Sequence, residues 1–183
     1  MGEIILVSGP SGSGKSRFAE ELIRQTHGAR YYIATMIPQT EENRRRIEKH
    51  RRQRKDLGFT TWEIPCDVQK AAVPADATVL LEDVSNLLAN LIFRRGEDEQ
   101  QAYRRICDLA DRCRLLITVT ISGLCPDSYE GETAGYIRSL NRLNQLLFWH
   151  ADAAVQLENG VASWQKGDFY ALDSIVSGGD VHL

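Results

Sequence analysis

The chain has 183 residues, of which 43% are hydrophobic and 26% charged, and its formal net charge is -3 at pH 7. This length fits one domain with a substantial core and excludes two large ones. The composition is that of an ordinary globular protein, and the slight negative charge argues against bulk nucleic-acid binding, which usually requires a basic domain. Since no apolar run approaches the length that spans a bilayer, we expect a cytoplasmic protein with no membrane span and no nucleic-acid partner.

Short apolar runs alternate with segments of helical periodicity along the chain. The runs predict strands at 4–7, 31–35, 78–81 and 115–121, and the periodic segments predict helices at 15–25, 41–55, 87–93, 97–112 and 134–149. An Asn-Gly pair at 159–160 predicts an antiparallel hairpin. The pattern therefore indicates an α/β protein, with a parallel sheet, helices on both faces and an antiparallel edge. We expect one domain over residues 1–167 and a C-terminal tail over 168–183.

The strongest motif is a complete G-x-x-x-x-G-K-[ST] sequence between the first predicted strand and helix. Glycines in such a P-loop let backbone N–H groups converge on phosphate oxygens, and the following helix adds its positive end. Lys15 is expected to reach the β- and γ-phosphates, and Ser16 to supply a hydroxyl ligand to Mg²⁺. The predicted nucleotide-binding residues of the loop are Gly9, Pro10, Ser11, Gly12, Ser13, Gly14, Lys15 and Ser16.

An acidic pair follows the strand predicted at 78–81. A P-loop enzyme needs a carboxylate at the end of a neighbouring strand to organise its metal ion, and Glu82 and Asp83 are both candidates. Glu82 follows the apolar run directly, so we assign it to Mg²⁺ or to catalysis. The alternative for either residue is to cap the next helix, and we expect Asp83 to take that role.

The helix predicted at 41–55 carries eight basic and three acidic residues. Such a run is usually a solvated helix face. Arg46, His50 and Arg54 are four residues apart, so they share a face, on which guanidinium groups able to hold phosphates flank an imidazole. Like-charge repulsion favours the neutral, nucleophilic imidazole there, which suits a covalent acceptor of a nucleotidyl group. From spacing alone, an ordinary surface histidine is the alternative.

Several motifs occur in an order and at a spacing more specific than the P-loop alone. They are Leu6-Val7-Ser8-Gly9, Tyr32-Ile33-Ala34-Thr35, Arg46-Ile47-x-x-His50-x-x-x-Arg54 and Leu80-Leu81-Glu82-Asp83. Together they resemble the bifunctional adenosylcobinamide kinase/adenosylcobinamide-phosphate guanylyltransferase family of cobalamin biosynthesis, over most of residues 4 to 157.

This resemblance implies a RecA-like P-loop NTPase domain that forms a homotrimer. It implies a corrinoid substrate, phosphorylation of its aminopropanol hydroxyl by a nucleoside triphosphate, GTP or ATP with Mg²⁺, and then transfer of GMP from GTP to the new phosphate. The guanylylated histidine of the family corresponds to His50. Thr35, Arg46 and Arg54 are placed with the nucleotide-binding residues.

Two other interpretations remain at this point. One is an ordinary small-molecule P-loop kinase without guanylyl transfer, in which the basic helix serves as an acceptor-binding lid. The other is a non-catalytic, nucleotide-responsive module whose basic helix docks on a partner or on RNA, although that helix lacks the aromatic residues on which bases stack.

Overall fold

The computed structural model of the chain describes residues 2–54 and 58–172, and at positions 46, 50, 53, 54 and 171 it describes the backbone alone. The strands are β1 (Glu3–Gly9), β2 (Arg30–Ala34), β3 (Thr60–Glu63), β4 (Thr78–Glu82), β5 (Leu115–Ile121), β6 (Ala153–Glu158) and β7 (Val161–Lys166). The helices are α1 (Lys15–Arg24), α2 (Glu41–Arg54), α3 (Val84–Arg95), α4 (Glu99–Ala110) and α5 (Gly131–His150).

The strands form one sheet in the order β3-β2-β4-β5-β1-β6-β7. Strands β1 to β6 run parallel, and β7 pairs antiparallel with β6. Because β5 lies between β1 and β4, one strand separates the end of the P-loop strand from the end of the strand that carries Glu82. The carboxyl ends of the parallel strands meet at one edge, where ligands bind in open α/β sheets.

Both faces of the sheet are covered. Ile4 and Leu6 of β1 belong to a buried cluster with α3, α4 and α5, whereas Ile5 and Val7 belong to a second cluster with α1 on the opposite face. A parallel strand buried on both faces is expected to read as a continuous apolar run, as β1 does. The predicted fold class, a mostly parallel P-loop α/β sheet with an antiparallel C-terminal hairpin, is confirmed.

The hairpin between β6 and β7 turns at Asn159 and Gly160, whose φ angles are 50° and 79°. Two consecutive residues of positive φ are what a two-residue hairpin loop of the favoured hand requires, which explains the Asn-Gly pair. The strand β3, by contrast, was not predicted from the sequence. It is a four-residue edge strand whose side chains are mostly exposed, so it carries no apolar run.

The segment after β7 packs onto the domain beyond the expected boundary at residue 167. Phe169 is fully buried in the cluster on the α1 face, and Leu172 is buried there as well. The packed chain therefore extends at least to Leu172, because an aromatic side chain takes part in the core where the composition suggested a tail. Residues 173–183 of the expected tail lie outside the described residues. None of the described helices has the length and hydropathy of a membrane span.

Candidate active site

A single cavity at the carboxyl edge of the sheet brings together the P-loop, the end of β4 and helix α2. From the P-loop and α1 it is lined by Ser11, Gly12, Gly14, Lys15, Ser16 and Arg17. From α2 it is lined by Ile47, Lys49 and Arg51. Tyr32, Glu63, Glu82, Asp83 and Asn86 complete its polar wall. We call this space the P-loop cavity.

The P-loop is shaped by its glycines and supported by the hairpin. Gly14 directly precedes α1 with a φ of 92°, a left-handed conformation that glycine adopts without steric cost. A Cβ atom on Gly9 would lie 2.3 Å from the carbonyl oxygen of Leu157, so β6 leaves no room for a side chain there. Gly160 donates its N–H to the carbonyl oxygen of Ser13 at 3.3 Å. The loop thus packs against the hairpin on one side and leads directly into the N-terminus of α1.

Lys15 is buried at the start of α1, and its Nζ atom donates to the carbonyl oxygen of Pro10 at 2.6 Å. Burial lowers the pKa of Lys15 below its ordinary value, and the carboxylates of Asp83 and Glu82 oppose this shift. The ammonium group is therefore held inside the loop, in a setting where a polyanion would stabilise its charge. That is the position expected of a residue that contacts phosphates.

Glu82 is held at both carboxylate oxygens. The hydroxyl of Ser16 donates to Oε1, and the hydroxyl of Tyr32 donates to Oε2 at 2.7 Å. Ser16 and Glu82, the two residues expected to serve the metal ion, are therefore in direct contact. A hydroxyl and a carboxylate are hard oxygen donors of the kind that Mg²⁺ takes, so this pair fits that ion.

Asp83 caps helix α3, as expected from the sequence. Its carboxylate accepts from the backbone N–H of Asn86 at 2.6 Å. Thr35 is fully buried, and its hydroxyl both donates to the carbonyl oxygen of Asp83 and accepts from its N–H, at 2.7 and 2.8 Å. Thr35 was expected among the nucleotide-binding residues, but it does not line the P-loop cavity, and its hydroxyl holds the junction between β4 and α3 instead.

Helix α2 borders the P-loop cavity through Ile47, Lys49 and Arg51. Arg51 forms an ion pair with Glu63 of β3, which links the helix to the edge of the sheet. The backbone of position 50 lies in this helix between Ile47 and Arg51. The side chains of Arg46, His50 and Arg54, all predicted to belong to the site, lie outside the described residues.

Two contributors to the site were missed by the sequence reasoning, which used Tyr32 only as part of a motif. The first is the Tyr32 side chain, whose bond to Glu82 depends on the pairing of β2 with β4. The second is Asn90 of α3, whose Nδ2 donates to the carbonyl oxygens of Thr35 and Pro65 at 2.8 and 2.9 Å. Asn90 is one of several polar residues of α3, so nothing in the local sequence distinguished it.

Three comparisons place the chain among known proteins. It is 38% identical over 98 residues to the "Bifunctional adenosylcobalamin biosynthesis protein CobU" of Escherichia coli, a match of 52% of this chain and 54% of that protein. The match thus spans about half the length of that relative. It is 28% identical over 179 residues to the protein of the same name from Salmonella typhimurium, over 86% of this chain and 97% of that protein.

Among solved structures, the chain is similar to the "unique ATP synthase subunit NeqB" of Nanoarcheaum equitans. The TM-score is 0.54 at 13% identity, over 86% of this chain and 47% of that one, which concerns the fold alone. The family model described as "Cobinamide kinase / cobinamide phosphate guanyltransferase" matches residues 5–163. The P-loop, the carboxylate at the end of β4 that contacts it and this match lead to one conclusion: the chain belongs to the cobinamide kinase/cobinamide phosphate guanyltransferase family.

Proposed function

We propose that the P-loop cavity carries out two transfers to one corrinoid acceptor, adenosylcobinamide and then its phosphate, through a GMP intermediate on His50. The observation that carries the proposal is that α2 and the P-loop line one cavity. A nucleotide whose phosphates lie in the loop would therefore have α2 beside it, and a nitrogen of that helix is the expected carrier of GMP.

In the phosphoryl transfer, the acceptor hydroxyl oxygen attacks the γ-phosphorus of the triphosphate. The bond to the β,γ-bridging oxygen breaks, and its electron pair leaves with the nucleoside diphosphate. Lys15 stabilises the negative charge on the transferred group, and the P-loop N–H groups hold the β-phosphate. The hydroxyl proton passes to a carboxylate, for which Glu82 is better placed than Asp83, because the latter carboxylate caps α3.

The residues that would hold Mg²⁺ are Ser16 and Glu82, and the ion would neutralise charge on the phosphates. Their mutual hydrogen bond keeps a hydroxyl and a carboxylate together at the base of the loop. Tyr32 keeps the second carboxylate oxygen in a fixed direction. The ion-binding pair is thus held in place before the nucleotide arrives.

In the guanylyl transfer, a ring nitrogen of His50 attacks the α-phosphorus of GTP. A P–N bond forms, and the bond to the β-phosphate breaks with its electron pair on the departing pyrophosphate. An oxygen of the corrinoid phosphate then attacks the same phosphorus, and the imidazole leaves as the P–N bond breaks. Splitting one hard transfer into two is what nucleophilic catalysis achieves. The basic side chains of Lys49 and Arg51, which line the cavity, supply positive charge beside these phosphates.

The experiment that tests the proposal is incubation of the chain with GTP labelled at the α-phosphate and Mg²⁺. We expect a protein-bound label that acid removes and base does not, as for a phosphoramidate, and we expect His50→Ala to abolish it. Glu42→Ala is the matched control, since Glu42 lies at the exposed start of α2 and does not line the cavity.

Mapping the labelled peptide decides between neighbouring nitrogens. Label on Lys49, or label that persists in the His50→Ala chain, would refute the histidine assignment while keeping a covalent mechanism. A wild-type chain that phosphorylates cobinamide without acquiring label would point to the plain kinase. The homotrimer implied by the family resemblance is part of the proposal, and sedimentation of the purified chain measures it.

A further inference from the structure

A second concave surface lies beside the P-loop cavity, between the segment after β2 and helix α3. Four of its lining residues carry carboxamides, and three are large and apolar. The carboxamides are Gln39, Asn43, Asn86 and Asn90, and the large apolar residues are Met36, Ile37 and Phe93. We call this surface the amide groove.

The amide groove is continuous with the P-loop cavity. Met36 and Asn86 line both spaces, so a bound molecule can extend from one into the other without leaving the protein surface. The groove therefore lies where the non-reacting part of an acceptor would be when its reacting oxygen is near the phosphates.

The walls of the groove are built into the fold. The Nδ2 atom of Asn90 bridges the carbonyl oxygens of Thr35 and Pro65 at 2.8 and 2.9 Å, which fixes this amide between β2 and the loop after β3. The Nδ2 atom of Asn43 donates to the carbonyl oxygen of Ile37 at 3.3 Å. Two of the four carboxamides are thus held by the backbone, so the groove is preorganised.

The chemistry of the groove is selective. Its lining includes the cation Arg94 but no carboxylate, so it suits neutral polar groups and an anion better than a cation. Phe93 is 55% exposed, and its ring contacts that of Tyr136 at a centroid distance of 6.0 Å. An exposed aromatic ring amid carboxamides offers an apolar contact surrounded by groups that both donate and accept hydrogen bonds.

We propose that the amide groove binds the corrin ring of the acceptor, an inference that rests on the proposed function. A corrin is an apolar macrocycle with carboxamide side chains around its edge, and carboxamides pair with one another through N–H and C=O groups in both directions. Phe93 and Met36 contact the macrocycle, and the groove amides bond its rim. The aminopropanol arm extends past Asn86 into the P-loop cavity.

In the proposed mechanism, loading with GMP needs GTP alone, whereas phosphorylation needs the acceptor, and the test uses this difference. Ala89 lines the groove on α3, and Ala89→Trp would fill it. We expect the KM for cobinamide in the kinase assay to rise at least tenfold, while the KM for GTP and the rate of GMP loading change less than twofold. Ala162→Trp is the matched control, because it places the same indole at an exposed position of β7 that lines neither the groove nor the P-loop cavity.

Phe93→Ala serves as a second variant that creates no steric conflict and should raise the same KM about threefold or more. An unchanged KM for cobinamide in both groove variants would overturn the proposal, as would an equal loss of GTP loading, which would mean that the variants act through the nucleotide site. Absence of loading in the wild-type chain would count against the proposed function only. Equilibrium dialysis of cobinamide with wild-type and Ala89→Trp chains then still tests the groove, and equal binding would refute it.

Discussion

Glu82 is constrained at both carboxylate oxygens, because hydroxyl groups from two other elements bind them. Ser16 comes from α1 and Tyr32 from β2. Tyr32 pairs in the sheet with Leu80, and both lie on the α1 face. Glu82 follows Leu80 by two residues in the strand, so its side chain lies on the same face as that of Tyr32. Tyr32 is 3% exposed, and its ring also packs against Phe59. The hydroxyl therefore has one fixed direction, and it directs the carboxylate.

Tyr32→Phe removes this hydrogen bond without changing the volume of the ring. A hydrogen bond to a charged group is worth about 1.5 to 3 kcal/mol, so we expect kcat to fall roughly tenfold or more. Because Tyr32 acts through Glu82, the Mg²⁺ concentration that gives half the maximal rate should rise, while the affinity for GTP without metal stays unchanged. Kinase assays at varied Mg²⁺ measure the first effect, and equilibrium binding measures the second.

Tyr31→Phe is the control for this prediction, since Tyr31 lies on the opposite face of the same strand and packs against Trp62. An equal loss of activity in both variants, or an unchanged Mg²⁺ requirement in Tyr32→Phe, would show that the hydroxyl does not position Glu82.

At the scale of elements, the carboxylate of Asp67, in the segment between β3 and β4, binds arginines of both α3 and α4. Arg95 donates to both oxygens of Asp67 at 2.9 Å, and Arg105 donates to Oδ1 at 3.2 Å. Arg105 also binds the carbonyl oxygen of Cys66 at 3.0 Å and the carboxylate of Glu97 at 2.5 Å. The hydrogen bonds from Arg95 hold the pKa of Asp67 well below its ordinary value.

This network predicts a stability difference that depends on pH. The lowered pKa means that Asp67 stabilises the folded chain above its unfolded pKa near 3.8, and that this contribution is lost as the pH falls through the lower folded value. We expect Asp67→Asn to reduce the free energy of unfolding by about 1 kcal/mol at pH 7, because the network is partly exposed. Urea unfolding between pH 7 and pH 2 measures the difference, which should shrink towards the acid end.

Asp127→Asn, at an exposed position before α5, should change the stability little at any of these pH values. A pH-independent loss in Asp67→Asn would mean that lost packing rather than lost charge explains the effect.

The order of strands was the part of the fold that local sequence could not reveal. Apolar runs and helical periodicity indicated β1, β2, β4, β5 and the helices α1 to α5, since burial acts on each segment separately. The insertion of β5 between β1 and β4 is a pairing of distant segments, and so is the register that brings Tyr32 to Glu82. The P-loop, the cap at Asp83 and the Asn-Gly turn were predictable because each is a local requirement of backbone geometry.

At the scale of the whole molecule, the C-terminal segment completes the core on the α1 face. Phe169 is fully buried, although it follows the glycine at which the domain was expected to end. Its neighbour Tyr170 is 66% exposed, and its hydroxyl donates to the side-chain oxygen of Gln25 at 2.9 Å. Composition suggested a tail because one buried ring in a short segment leaves no periodic pattern.

Phe169→Ala should therefore lower the free energy of unfolding by about 3 kcal/mol, the usual cost of emptying an aromatic site in a core. Tyr170→Ala also removes an aromatic ring, but from an exposed position, so it should lower the free energy of unfolding by less than about 1 kcal/mol. Chemical denaturation of both variants measures the contrast. Equal and small losses would show that the domain is complete without this segment.

The P-loop motif occurs once in the 183 residues, which limits when each of the two proposed transfers can take place. If the two proposed transfers use the same phosphate cradle, they cannot run side by side in one subunit and must take turns. The nucleoside diphosphate left by the phosphoryl transfer would then delay loading with GMP for as long as it stays in the loop. The rate at which that diphosphate leaves the loop would in this way limit the pace of the guanylyl transfer.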